Sequence, residues 1–428
     1  MKADRAWGFC PQCGGKVSLE VGDPLLKCAF CKTSLYIIPK DGIFSYVLVT
    51  DDMQHIPGSR ILMLPYWRLK GLRFSLLQDK SVKSNRVDAT IPALKELKKL
   101  PSLGLVTQLA TLRLNTGPVS NLQMLEPIRD VIRHINARIE AGLEQSPLTS
   151  FVLSEKISIV MAPFELLKKT EEKIVIRPLW TKGHDFVKIT DRHIIQSLLK
   201  REERIHEKKS GHDFLPLICP ECGSDLPALS MVSVLFCPYC KRLYSIGQSK
   251  ILPQKAQILC RRIERNMVFV PFYHFQVAIE GDSISFHDRL GFLSRLYSYK
   301  MFPKDLSKEP VQFVVPAFSV NPSLFLRLSS RFSSSEVSYL NAKDNIDSIP
   351  EAYAINISAE SAVQCLPLLL LFMVGNKRKL MEQLIKAKIR ITSVKVIFIP
   401  FFRQRNELVE KHTGQAIQER AIKYGMNL

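Results

Sequence analysis

At 428 residues, 46% hydrophobic and 23% charged, the chain is too long for one ordinary core and too apolar for a disordered polymer. Its net charge of +20 is spread evenly: residues 1–200 hold 29 Lys and Arg against 19 Asp and Glu, and residues 201–428 hold 31 against 21. That excludes a basic tail, and it leaves nucleic acid, anionic lipid headgroups and acidic protein surfaces as partners such a charge attracts.

Taken in order, residues 1–7 reach the first cysteine before an apolar leader core could form, so we expect no secretory signal and a cytoplasmic protein. Cys10-Pro-Gln-Cys13-Gly and Cys28-Ala-Phe-Cys31-Lys then set two Cys-x-x-Cys hooks 14 residues apart. Residues 33–38 read as a short strand closing this module, with Tyr36 placed to pack on it. Residues 61–70 read as a strand interrupted by Pro65, and residues 90–93 hold another proline, Pro92. Over residues 121–144, Leu125, Ile128, Val131, Ile132, Ile135 and Ile139 recur at helical spacing with Arg129, Arg133 and Arg138 outside. Residues 174–180 predict a further proline-bearing strand. Residues 190–209 predict a helix capped by Thr190 or Asp191 that passes into a charged linker.

The second half repeats the opening. Cys219-Pro-Glu-Cys222-Gly and Cys237-Pro-Tyr-Cys240-Lys carry the same spacer, and residues 243–246 follow them as a closing strand. In residues 267–280, Tyr273, Phe275, Val277 and Ile279 alternate with His274, Gln276 and Glu280, which predicts a strand with one buried face. The apolar run 366–374 is about half the roughly twenty residues a bilayer requires, so it predicts a buried element and no transmembrane segment. Residues 406–424 read as a terminal helix. Cys10 matches Cys219, Pro65 matches Pro271, Pro92 matches Pro316 and Pro178 matches Pro400, all in order, which predicts an internal duplication. The expected class is α+β. Its expected parts are zinc ribbon 1 at 1–40, an α+β domain at 41–200, a charged linker at 201–216, zinc ribbon 2 at 217–248 and a second α+β domain at 249–428.

Eight of the ten cysteines fall in the hooks, which suits a reducing compartment and two zinc sites of four thiolates each: Cys10, Cys13, Cys28 and Cys31, then Cys219, Cys222, Cys237 and Cys240. A full sulfur shell leaves no place for water or substrate, so both zinc ions are expected to be structural. Glycine after the second cysteine permits the positive φ that such a turn wants.

These residues resemble the zinc-ribbon class, the four-cysteine modules of transcription factor IIB-like proteins and RNA polymerase subunits. The resemblance covers about residues 8–38 and 217–246, and it implies a β-hairpin module around structural zinc without implying a substrate.

Searches for chemistry return no phosphate-binding glycine loop, no dinucleotide turn, no nucleophile elbow and no His-Glu-x-x-His helix. No catalytic residue and no small-molecule substrate is therefore assigned. The pairs His184-Asp185 and His287-Asp288 read as surface or turn pairs. Cys260, beside Arg261 and Arg262, reads as a buried thiol whose alternative is a lowered pKa. Tyr66-Trp67, Phe272-Tyr273 and Phe401-Phe402 read as core, their alternative being base stacking with the cations on phosphate. Lys241 and Arg242 at the tip of the second ribbon, with Arg68 and Lys70, are the candidate binding residues.

Three functions follow. The first is a non-enzymatic adaptor or assembly subunit that docks a protein partner through its duplicated surfaces. The second is a nucleic-acid-binding ribbon protein, and the third an enzyme with a site between diverged halves.

Overall fold

The computed structural model describes residues 6–19, 25–39, 43–77, 79, 82–94, 100, 103, 111–115, 149–170, 172–180, 186–190, 195, 212–228, 233–246, 250–259, 263–264, 266–282, 284–337, 343–346, 349–375 and 377–425. The helix expected over 121–144, most of that expected over 190–209, the linker as far as residue 211, and the groups His184-Asp185 and Cys260 to Arg262 lie outside the described residues. Two compact units divide the chain: Met1–Gly71, Arg86–Gly142 and Lys156–Pro216 form the first, and Leu72–Asn85, Leu143–Glu155 and Leu217–Leu428 the second.

In the first unit, β1 (Ala6–Phe9) and β2 (Lys16–Leu19) form one hairpin, and β3 (Leu25–Lys27) and β4 (Ser34–Pro39) another. The larger sheet uses β5 (Phe44–Val49), β6 (Ile61–Leu76), β7 (Val82–Pro92), β8 (Thr111–Leu114), β9 (Thr149–Lys169), β10 (Ile174–Pro178) and β11 (Val187–Ile189), of which β6, β7 and β9 contribute residues to both units. Strand β12 (His212–Pro216) joins β4, with Phe214 opposite Ile37. The last five residues of the expected linker are therefore an edge strand of the first cysteine module.

The second unit begins with β13 (Val234–Phe236), β14 (Leu243–Ile246) and β15 (Ile251–Gln254), a three-stranded sheet. Its larger sheet takes β16 (Ala256–Ile258), β17 (Met267–Glu280), β18 (Ser285–Phe286), β19 (Val311–Pro316), β20 (Lys343–Ile346), β21 (Lys388–Gln404), β22 (Glu407–Val409) and β23 (Ala416–Gln418). Among the described residues six short helices accompany them: α1 (Arg289–Leu296), α2 (Pro322–Ser334), α3 (Ala359–Val363), α4 (Leu366–Val374), α5 (Arg378–Leu384) and α6 (Glu419–Gly425). Helix α4 is the apolar run 366–374, buried along nearly its whole length with Pro367 in its first turn, where a missing N–H costs nothing. No described helix is long and apolar enough to cross a membrane.

The described fold is mixed, as expected, but sheet-rich. Residues 406–424 correct the expected terminal helix, because most of them form the β22–β23 hairpin and only Glu419–Gly425 is helical. The amphipathic reading of β17 is also corrected. His274 is 1% exposed, and apart from Gln276 and Glu280 the strand is buried on both faces, since β19 and β21 flank it and helices pack over it.

Both larger sheets have the same connectivity. In each, one strand is a hub: β9 bonds to β5, β6 and β10, and β21 bonds to β16, β17 and β22. Beyond the hub, β8, β7 and β11 occupy the places of β20, β19 and β23, and among the described residues β18 has no counterpart in the first sheet. The hub strands β9 and β21 contain Pro163 and Pro400, whereas Pro178, the sequence match of Pro400, lies in the neighbouring strand β10.

Prolines survive in these strands for a local reason. The Pro271 carbonyl accepts from the Ala317 amide at 3.1 Å, and the Pro65 carbonyl accepts from the Ala93 amide at 2.9 Å. In antiparallel pairing a residue's N–H and C=O point to the same side, so each missing N–H faces the neighbour that has just ended at Pro316 or Pro92. No ladder bond to the other side is lost.

Two candidate metal centres

Each of the four hooks folds into the same turn. The first cysteine's carbonyl accepts from the amide four residues on, at 2.8 Å for Gly14, 3.0 Å for Lys32, 2.9 Å for Gly223 and 3.0 Å for Lys241. Its own amide donates to the carbonyl five residues on, at 2.8 to 3.0 Å. This closure puts the residue after the second cysteine in the left-handed region, with φ of 71° at Gly14, 64° at Lys32, 72° at Gly223 and 62° at Lys241. Glycine fills two of these positions without strain, and lysine fills the others at a cost of about 1 kcal/mol each.

The turns bring the sulfurs together. Cys10 Sγ lies 3.7 Å from Cys31 Sγ, and Cys13 Sγ lies 3.6 Å from Cys28 Sγ. In the second module the distances are 3.6 Å for Cys219 to Cys240 and 3.6 Å for Cys222 to Cys237. All four sulfurs of each module lie within 4.8 Å of one another, and the burial pattern is the same in both. A tetrahedral ion with metal–sulfur bonds of about 2.3 Å requires sulfur–sulfur edges of about 3.8 Å. The thiols are free of disulfides, so each set fits one ion. Of the two single cysteines, Cys365 is fully buried beside α4, where burial pushes its thiol well up and makes it unreactive.

Hydroxyls around the sulfurs tune them, and sequence spacing did not find these. Thr33 Oγ1 is 3.3 Å from Cys31 Sγ, and with its own amide it holds the free Cys31 thiol down to about 6. Ser224 Oγ does the same for Cys222 at 2.9 Å, again to about 6. Gly15's amide pulls Cys13 downward, but desolvation and the other three sulfurs together push it up to about 11. Burial likewise raises Cys240 to about 11. Tyr244 Oη sits 3.2 Å from Cys219 Sγ and 3.5 Å from Cys240 Sγ, and burial beside these sulfurs drives its own pKa up. The signal was present in the sequence as a hydroxyl residue two positions after a cysteine at Thr33 and Ser224, and as a tyrosine four after Cys240.

The expected binding residues are placed as follows. Arg68 is bidentate to Asp88 at 2.7 and 2.6 Å, and Lys70 Nζ lies 3.9 Å from the same carboxylate. Arg242 pairs with Glu221 at 2.8 Å, while Lys241 is exposed with its ammonium 6.0 Å from the Phe236 ring. Tyr66, Trp67, Phe272, Tyr273, Phe401 and Phe402 are buried, so the core reading of these aromatics holds. Two aromatics that lie between the paired cysteines of a hook are displayed instead. Phe30 is 66% and Tyr239 74% exposed, and each stands directly before the last cysteine of its module.

No family model, no curated protein and no solved structure matches this chain.

Proposed function

We propose that this is a non-enzymatic zinc protein that docks other macromolecules through two cysteine modules. One observation carries the reading: both sulfur shells are closed, and the same turn of each module presents one large aromatic, Phe30 or Tyr239, to solvent. A closed shell serves shape, and an exposed aromatic on a rigid metal-pinned turn loses little entropy when a partner covers it. Four thiolates in a tetrahedron favour zinc over harder ions, and an iron centre would announce itself by colour. The shared hub connectivity and matching turns support an internal duplication, which gives the chain two related surfaces and raises the effective concentration of the second contact once the first is made.

The test is site-specific. A photo-crosslinking amino acid placed at Phe30 or Tyr239 of the metal-loaded chain is expected to capture a discrete partner from native extract. Labelling no stronger than from the exposed control Lys308 would sink the reading. Elemental analysis is expected to return two zinc ions per chain.

A further inference from the structure

The cations flagged by sequence are tied to carboxylates or spread singly, but one cluster in the second unit gathers four, of which only Arg378 is ion-paired among the described residues. A cavity of about 470 Å³ is lined by Arg295, Lys377, Arg378 and Lys379 together with the hydroxyl residues Ser294 and Ser298, and no carboxylate lines it. Lys377 is fixed there, because its ammonium donates to the Arg295 carbonyl at 3.1 Å and the Leu296 carbonyl at 2.7 Å at the end of α1. Arg378 meets Glu382 at 3.1 Å on an exposed helix face. Arg295 and Lys379 are exposed and carry no ion pair among the described residues. Beside Ser298 the chain displays Tyr299, 85% exposed, while Tyr297 and Phe302 of the same loop pack against the core.

We propose that this cavity takes a phosphodiester of single-stranded nucleic acid and that Tyr299 stacks the adjoining base. The site is distinct from the cysteine modules, and it stands or falls without them. Guanidinium, ammonium and hydroxyl groups around one concavity are what a phosphate accepts from, and a solvent-facing ring next to them is what an unstacked base needs. A duplex hides its base faces, so it offers no face for Tyr299 to stack on. A bilayer surface would have to be held by a broad apolar face, and here the loop offers only Tyr299 and Met301 outside the core, with Lys300 between them paired to Glu336 at 2.9 Å.

A second arginine cavity supplies the control. It measures about 530 Å³ and includes Arg327 and Arg331, but Glu407 shares its wall. Reversing Arg327 and Arg331 changes the net charge as much as reversing Arg295 and Lys379. The probe is a fluorescent oligothymidylate of about ten nucleotides, titrated with the full metal-loaded chain at about 50 mM salt and upward, and read by anisotropy.

Arg295→Glu with Lys379→Glu is expected to weaken binding at least tenfold and to lower the slope of log affinity on log salt by about 0.7, one single-strand phosphate contact. Tyr299→Ala is expected to cost about fivefold or more, with Tyr299→Phe retaining affinity because the ring face is kept. Arg327→Glu with Arg331→Glu is expected to leave binding within about twofold. The proposal is overturned if no oligonucleotide binds at low salt, if both reversals weaken binding equally, or if Tyr299→Ala binds as well as the parent. Loss of binding to phosphatidylserine vesicles with oligonucleotide binding unchanged would also overturn it, in favour of a membrane surface. Circular dichroism of each variant identifies any that fails to fold, and Tyr299→Leu or Arg295→Gln with Lys379→Gln, each expected to weaken binding in the same direction, then carries the comparison.

Discussion

The ring of Phe214 fills the space that a side chain on Gly8 would require: a Cβ there would lie 2.2 Å from Phe214 Cε2. Gly8 sits in β1 opposite Val17, and Phe214 belongs to β12, which enters the sheet beside β4. A segment more than two hundred residues downstream therefore completes the cover over Cys10, Val17, Cys28 and Leu35. Gly8→Val is expected to destabilise the first module by about 1–3 kcal/mol, because the ring has to leave or the strands have to part. Phe214→Ala in the same chain should recover part of that loss, giving a non-additive cycle in urea midpoints. Additive costs would mean that the two residues do not share this space.

Stripped of metal, the cysteines should differ in reactivity. Hydroxyl and amide contacts hold the free thiols of Cys31 and Cys222 down to about 6, against an ordinary 9.0, whereas Cys13 and Cys240 rise to about 11. Brief iodoacetamide treatment at about neutral pH is expected to label Cys222 before Cys240 and Cys31 before Cys13, as read by peptide mass spectrometry. The sign for stability follows from the direction. A depressed thiol favours the fold fully above about 9, and that contribution is lost as pH falls through about 6, so the stripped modules should loosen toward acid. Thr33→Val and Ser224→Ala should each narrow the corresponding preference, since the backbone amide contact remains.

The two four-cysteine groups were legible because their members are local: two cysteines three apart on one turn, twice per module, at one spacer length. The strand partners were not. Residues around Pro178 and Pro400 look alike in a short window, each a proline after β-branched residues and before large apolar ones. Only the strand pairing shows that Pro400 lies in a hub strand and Pro178 beside one, and that pairing joins segments more than a hundred residues apart. His274 looked like a solvent-face residue because alternation reports one neighbour layer, and β17 has layers on both faces. The basic cavity escaped for a related reason, since Arg295 and Lys379 are far apart in sequence and meet only through the end of α1.

Arg289 is fully buried and cannot be read from its sequence context. Its guanidinium meets Glu309 at 2.5 Å, donates to the Val337 carbonyl at 3.1 Å and also reaches the Ser335 carbonyl. A guanidinium offers only donors, so the Gln312 amide turns its oxygen to Arg289 at 2.8 Å and donates through its nitrogen to His274 Nε2 at 2.9 Å. Arg289→Met is expected to cost about 3–5 kcal/mol, because Glu309 is left without its partner and two carbonyls lose their donor. Arg289→Met with Glu309→Gln should cost less than the single change. A smaller loss in the single variant, measured by chemical denaturation, would mean that water reaches Glu309.

The same network predicts a pH response. Burial, with Arg289 and Lys395 nearby, holds His274 below its ordinary 6.5, while Glu309 pulls the other way. A histidine kept neutral by the fold stabilises it above the unfolded value, and that stability is lost as pH falls below about 6.5, since the unfolded chain binds the extra proton. Urea midpoints between about pH 7.5 and 5.5 should therefore fall for the parent and fall less for His274→Gln. Equal slopes would remove His274 as the cause.

A fifth turn of the cysteine type occurs where there is no cysteine. Between β22 and β23, the Glu410 amide donates to the Gln415 carbonyl at 2.9 Å and the Gly414 amide to the Glu410 carbonyl at 3.0 Å, with Gly414 at φ 65°. The Glu410 carboxylate is buried, and it accepts from the amides of His412 and Thr413 at 3.0 and 2.7 Å and from the Thr413 hydroxyl at 2.6 Å. An anion inside the turn thus holds it shut as a metal-bound thiolate would. Chelation and this carboxylate should then act on separate parts of the chain. Removing metal is expected to raise amide hydrogen exchange in peptides covering residues 10–33 and 219–242, leaving 405–418 protected. Glu410→Ala, at a cost of about 1–3 kcal/mol, should do the reverse. If chelation opened all three segments together, the turns would belong to one cooperative unit and the carboxylate would not be holding its own.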